Sequence, residues 1–441
     1  MPKRFLIAAR SPLAWIARHE LWPTGVGVLL ATISLRFAPW GLALLAVLWL
    51  IRRLGAGHWS VSTPVDWPAG ILVVMGGVSW LVTVDRAATG LALSRLLAGL
   101  ALMYGIVNWA KTGARLLLIL WGGTLCALLL ALATPMIIPW QGARYIPAVA
   151  TRIPHLGNLL NANMVAGALV MLLPFPLAGS VLLLRFKRGQ RPARARWGRS
   201  LTVSVVRFLQ LWRVSSIPIT ALVFGALFFT QSRGAWLAAG GGGFVVGVGC
   251  TLLFLGALAA PVLAWGWLVW QGQLTSFLDA LGTGGGIAGW DERVEIWSRA
   301  LYMIQDFPFT GIGADMYPQV VNVLYPLFLI SPTTIIPHAH NLFLQVGIDL
   351  GLPGLIAFLA ILIGVCFSAL RSLREQRGDP VRRTAIWVGM ASLAAMLIHG
   401  LVDATTWIAG WAAPLPWLVF GMLLAAARYA AAPPTTSEDQ S

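Results

Sequence analysis

Leu342 to Leu370 reads LFLQVGIDLGLPGLIAFLAILIGVCFSAL. Asp349 is its only charged residue, and at a helical rise of about 1.5 Å per residue the run is long enough to cross a bilayer with tilt, or with a bend at Pro353. This stretch therefore decides the fold in favour of helices that span a membrane. Immediately before it stand Pro337, His338, Ala339, His340 and Asn341, which put two imidazoles and an amide where the span begins. A polar cluster at a membrane–water boundary calls for a functional reason.

The rest of the chain has the same character. Of 441 residues, 58% are hydrophobic and only 10% charged, which is too apolar for a soluble protein of this size and implies an all-α polytopic membrane protein. Twelve spans fit best, at about 21–37, 39–52, 64–84, 88–110, 114–135, 158–184, 215–231, 234–252, 254–270, 342–370, 384–401 and 404–428. The first two are short enough to form a hairpin or a broken span at Pro39. The formal charge of +16 does not point to nucleic acid, because the basic residues fall in loops between apolar runs. Nine lie between Arg185 and Arg213 with no acid among them, which puts that segment inside. Between Gln271 and Asn341 six acids outnumber Arg293 and Arg299, which makes this the large outside loop.

The organisation that follows is spans one to nine over 1–270, the outside loop over 271–341, spans ten to twelve over 342–428 and a polar, disordered tail over 429–441. The first span doubles as a retained signal anchor. Cys126, Cys250 and Cys366 lie in apolar runs without paired spacing and read as small core residues. Within the outside loop, DERVEIWSRALYMIQDFP reads as an amphipathic helix near the membrane surface, with Val294, Trp297, Leu301 and Ile304 as its apolar stripe.

Arginine on the outer side is informative because that side is otherwise poor in positive charge. Arg233, in TQSRGAWLA, reads either as an interfacial arginine reaching for headgroups or as an anion site, since guanidinium binds phosphate in a fork. For Arg293, with Asp291, Glu292 and Glu295 beside it, a surface ion pair competes with anion binding. Arg144, Arg152 and His155 mark a second outside stretch. His338 and His340 would point apart in a helix and lack further ligands at metal-site spacing, which leaves inert interfacial imidazoles or a general base; no metal and no cofactor is expected. Asn341 reads as a helix cap or an orienting partner. His399 and Asp403, four apart, form either a structural pair or support for a site.

Taken together, SRGAW, then RxxxWxxA followed by PxxGIG (Arg293, Trp297, Ala300, Pro308, Gly311 to Gly313), then HxHNxFLQ and GLPG resemble the O-antigen ligase and polymerase family of bacterial envelope glycosyltransferases. GNLLNANMVAG, from Gly157 to Gly167, is similar to that family's preceding helix. The resemblance implies a metal-independent transferase of the bacterial inner membrane with its site facing the periplasm or cell exterior. It would move a glycan from undecaprenyl pyrophosphate to a hydroxyl on a glycan, lipid or protein acceptor. Arg233 and Arg293 would bind the pyrophosphate; either His338 or His340 could align with the family's histidine, and His340, directly before Asn341, is the preferred base, with Glu295 as an alternative; His338, Asn341, Arg144 and Arg152 complete the candidate substrate contacts. A polymerase or a protein O-oligosaccharyltransferase is the alternative within the family. A flippase or other transporter is the alternative outside it, although no internal repeat supports one.

Overall fold

The structure, a computed structural model, describes residues 12–138, 160–185, 203–248, 290–375, 380–408 and 410–428. Among the described residues there is no strand, and fifteen helices follow one another: α1 (Pro12–Arg18), α2 (Leu21–Ile33), α3 (Ala38–Ala56), α4 (Asp66–Val82), α5 (Arg86–Trp109), α6 (Gly113–Ile137), α7 (Ala162–Leu172), α8 (Pro174–Arg185), α9 (Val203–Phe229), α10 (Arg233–Val248), α11 (Trp290–Asp306), α12 (Tyr317–Leu324), α13 (Leu342–Glu375), α14 (Pro380–Gly400) and α15 (Pro414–Arg428). Among the described residues seven apolar stretches are long enough to cross a membrane, one of them running over α7 and α8, and three shorter helices are also apolar, so the protein is an all-α polytopic membrane protein. The span expected at 254–270, Arg144 and Arg152, and the tail lie outside the described residues, as does 186–202 of the basic segment.

Small residues let these helices close on one another, as van der Waals packing within a bilayer requires. A Cβ on Gly99 of α5 would strike the buried indole of Trp417 on α15, and one on Gly41 would meet the backbone of α2 at Ala31. Glu20 and Arg52, both buried, pair at 2.6 Å and tie α3 to the start of α2. The first two expected spans, α2 and α3, thus form the hairpin.

The span expected over 158–184 runs on from α7 into α8 through Leu173, whose φ of −52° and ψ of −41° are helical. Two departures from the sequence expectation shape the site. The last span is helical only from Pro414, so residues 401–408, which include Asp403, and 410–413 are irregular. Finally, α13 kinks at Gly351 (φ 69°, ψ −179°) and not at Pro353. Glycine enters that left-handed region without a Cβ penalty, and Pro353 then falls in the first turn of the following helical segment, where its missing N–H costs nothing.

Residues 290–341 form a lobe at one end of the bundle with its own apolar core, including Ile296, Ala300, Met303, Met316, Tyr317 and Ile336. The inward face of α11 is therefore Ile296, Ala300 and Met303. Trp297 and Ile304 flank it half-buried, while Val294 and Leu301 of the expected stripe are exposed. The lobe is seated on the kink: Ile312 N–H donates to the Ile348 carbonyl at 2.8 Å, and Leu352 N–H donates to the Pro308 carbonyl at 2.7 Å. Each bond satisfies a backbone group that the break in α13 released.

Candidate active site

The segment 338–341 leaves helical geometry through His340, whose φ of 47° is left-handed and rare for a residue with a Cβ. That turn brings the two imidazoles together, ring centroids 4.5 Å apart, where a helix would have separated them. Both rings are buried and face Asp403: His338 Nε2 lies 3.3 Å from Oδ1, and His340 Nδ1 lies 3.8 Å from Oδ2. Asp403 therefore belongs to the same cluster as the two histidines. In the sequence it was visible only as the fourth residue after His399.

Hydrogen bonding distinguishes the two imidazoles. The backbone N–H of His340 donates to His338 Nδ1 at 3.2 Å, so that nitrogen is an acceptor and Nε2 carries the proton, which points at Asp403. Both nitrogens of His338 are thereby committed. Neither nitrogen of His340 has a hydrogen-bond partner among the described residues. Burial drives the His338 pKa down to about 4, against the pull of the carboxylate, so the ring is neutral near pH 7. Burial alone would raise the Asp403 carboxyl, but the imidazoles of His338, His340 and His399 outweigh it and hold Asp403 below the usual carboxylate range.

His338, His340 and Asp403 each offer a ligand atom, all within 4.8 Å of one another, a donor set that can hold a metal ion. The bond from His340 N–H argues against that use, because an imidazole accepting on Nδ1 bears its proton on the very nitrogen that would have to ligate.

Helix α11 holds both halves of the cluster from one face. Arg293 donates to the Val402 carbonyl, next to Asp403, and one turn later Trp297 Nε1 donates to the His340 carbonyl at 3.3 Å. Arg293 is half-buried at a cost to its charge that outweighs the favourable pull of Asp403. Arg233 opposes that charge, so the two guanidiniums lie within electrostatic reach of each other. Arg233 itself is exposed at the first position of α10, after a turn with Gln231 at φ 55°.

Asn341 has a positioning part. Its Oδ1 accepts from Phe343 N–H and Leu344 N–H at 3.0 and 3.1 Å, capping α13, and its Nδ2 donates to the Leu401 carbonyl at 3.1 Å. The neighbouring acid Glu295 is occupied as well, accepting from Phe328 N–H and Leu329 N–H and pairing with Arg299. The motif glycines act by absence of bulk. A Cβ on Gly234 would press on Val402, and one on Gly167 would meet Thr405 Oγ1 at 2.6 Å and His399 Cε1 at 3.0 Å.

A buried network beneath the cluster was not read from the sequence. Gln345 Oε1 accepts from Ala339 N–H at 2.8 Å, Gln345 Nε2 donates to Asp349 Oδ1 at 2.9 Å, and Trp407 Nε1 donates to Asp349 Oδ2 at 2.9 Å. Asp349 thus links the histidine segment to the Asp403 loop. Its signal was present as the lone charge in the long apolar run.

No curated protein matches the chain. Residues 218–359 match the family model described as O-antigen ligase, a stretch that holds Arg233, Arg293, both histidines, Asn341 and Asp349 but stops short of Asp403. It is to the O-antigen ligase family that this stretch of the chain is similar.

Proposed function

We propose that the protein transfers a glycan from a lipid pyrophosphate of the undecaprenyl type to a hydroxyl acceptor, with His340 as general base. The observation that carries this reading is a buried imidazole whose Nδ1 faces a carboxylate and whose Nε2 has no partner among the described residues, on a loop gripped by the helix of Arg293. The acceptor oxygen forms its bond to the anomeric carbon as the bond from that carbon to the pyrophosphate oxygen breaks. The acceptor proton passes to His340 Nε2, and the electron pair of the broken bond leaves with the lipid pyrophosphate. Asp403 stabilises the imidazolium that results, and its distance to His340 shortens as the charge develops.

Pyrophosphate is already a good leaving group, so the remaining requirement is fixed positive charge on the departing oxygens. Arg233 and Arg293 supply it, with the N-terminus of α10 beside them. Such a mechanism takes no metal. The site lies on the periplasmic or outer face of a bacterial inner membrane, as the acidic outside loop implies.

The test is transfer rate measured alongside donor binding, in purified protein reconstituted with lipid-linked glycan and acceptor. His340→Ala should lose on the order of a hundred- to ten-thousand-fold in rate while still binding donor. His338→Ala should be the milder lesion, and chelator should leave the parent unaffected. An active His340→Ala beside a dead His338→Ala moves the base two residues upstream, and chelator inhibition reversed by a divalent ion overturns the metal-free route.

A further inference from the structure

From Met316 to Ile348 the chain carries no Asp, Glu, Lys or Arg, yet the first part of this stretch lies on the surface of the lobe. Val323, Phe328 and Ile335 are exposed to 76, 81 and 75%, and Leu324 and Leu329 are more than half exposed. The charge of the lobe is gathered instead on α11, which bears Asp291, Glu292, Arg293, Glu295, Arg299 and Asp306. A loop standing in water has no use for so large an apolar set without charge among it.

The backbone of this stretch is prepared for an apolar medium. Phe328 N–H and Leu329 N–H donate to the two oxygens of Glu295 at 2.7 and 2.9 Å, Arg299 Nε donates to the Pro326 carbonyl at 3.0 Å, and Asn322 Nδ2 donates to the Pro332 carbonyl at 3.4 Å. Polar groups satisfied from within can leave water cheaply, whereas a solvated loop has no need of such bonds. Leu327, Ile330 and Ile336 turn into the lobe core and hold the loop while its other apolar side chains face outward. At its rim Arg299 lies over Phe328 and Tyr302, at 5.4 and 5.9 Å from the ring centroids, an aromatic and cationic pairing typical of the headgroup level. The stretch is also continuous with the membrane, since seven residues beyond Ile335 the chain enters α13.

We propose that residues 323–335 are immersed in the lipid leaflet at the site end of the bundle, with acyl chains and headgroups as their partner. Immersion sets the depth of the attached His338–His340 segment, and on the catalytic reading above it holds that segment level with the pyrophosphate of a membrane-embedded donor. α11, the helix expected at the membrane surface, is the water-facing side of the lobe.

Site-directed spin labelling tests this without any assay of activity, so its outcome is independent of the proposed reaction. Single cysteines at 328, 335 and 305, in a background with Cys126, Cys250 and Cys366 replaced, would carry nitroxides in phosphatidylcholine and phosphatidylglycerol vesicles. Labels at 328 and 335 should be relaxed more by oxygen than by a water-soluble nickel chelate, and the label at 305, on the charged helix, should show the reverse. Equal exposure to the nickel chelate at all three positions overturns the proposal. So does protection of 328 and 335 from both reagents, which would assign the surface to a protein partner or a second copy.

Discussion

His340 shows how one unusual torsion produces a chemical asymmetry. Its left-handed φ turns its own N–H onto His338, which occupies that ring, and leaves its own imidazole without a hydrogen bond beside Asp403. The neutral state of His338 also makes a pH prediction. Its folded pKa of about 4 lies below the ordinary 6.5, so the unfolded chain binds the proton first and the contribution to stability, complete above pH 6.5, is lost as pH falls toward 4. At pH 5 the loss is about 2 kcal/mol. Asp315 acts in the opposite sense, because burial raises its carboxyl to about 6 and protonation below that value relieves it. The comparison that isolates the imidazole is thermal inactivation of parent and His338→Gln between pH 7 and 5, in which the parent should lose more stability on acidification. For Arg233, fork geometry and charge both count, so Arg233→Lys should weaken donor binding and Arg233→Ala should weaken it further with insertion intact. Full activity with native donor affinity in Arg233→Ala would return it to the headgroup reading.

At the level of helices, α13 joins the site to the membrane. Its break at Gly351 exposes two backbone groups that Pro308 and Ile312 take up, which is the physical content of the PxxGIG and GLPG motifs. Asp349, just before the break, accepts from Gln345, Trp407 and Asp315 N–H. Asp349→Asn replaces one acceptor oxygen with a donor facing donors, at a cost of about 1–3 kcal/mol. Its effect should fall on kcat, with KM for the lipid donor unchanged because the arginines stay in place; an equal fall in donor affinity would show that the change had reached them. The motif residues and the start of α13 at Asn341 were legible because capping and apolar runs are local signals. The position of the kink was not, since both Gly351 and Pro353 permit one and only contact with the lobe selects between them. The inward face of α11 was not legible for a similar reason, as Ala300 packs in the core without adding to a hydrophobic stripe.

Across the whole molecule, composition and charge placement were enough to establish the class, because an apolar chain of this length has few ways to satisfy its backbone. Pairings over long sequence separations were not legible, above all Asp403 with His338 and His340, because nothing in the spacing of 338 and 403 marks them as neighbours. Sidedness is open to direct measurement. Single cysteines near 285 and at 305, on the charged helix, should react with a membrane-impermeant thiol reagent added from outside, and one near 195 should react only after permeabilisation. Labelling of both sets from one side would break the twelve-span arrangement. The grip of Arg293 on Val402 bears on how such a protein tolerates exchange of parts. The carboxylate lies beyond the stretch that carries the arginines and imidazoles, so a chimera that swaps 218–359 between relatives imports half of the candidate site and inherits the other half from its host. Whether the graft works then depends on one guanidinium finding one carbonyl oxygen across that junction, and a transplanted 218–359 should regain function when residues 401–407 travel with it.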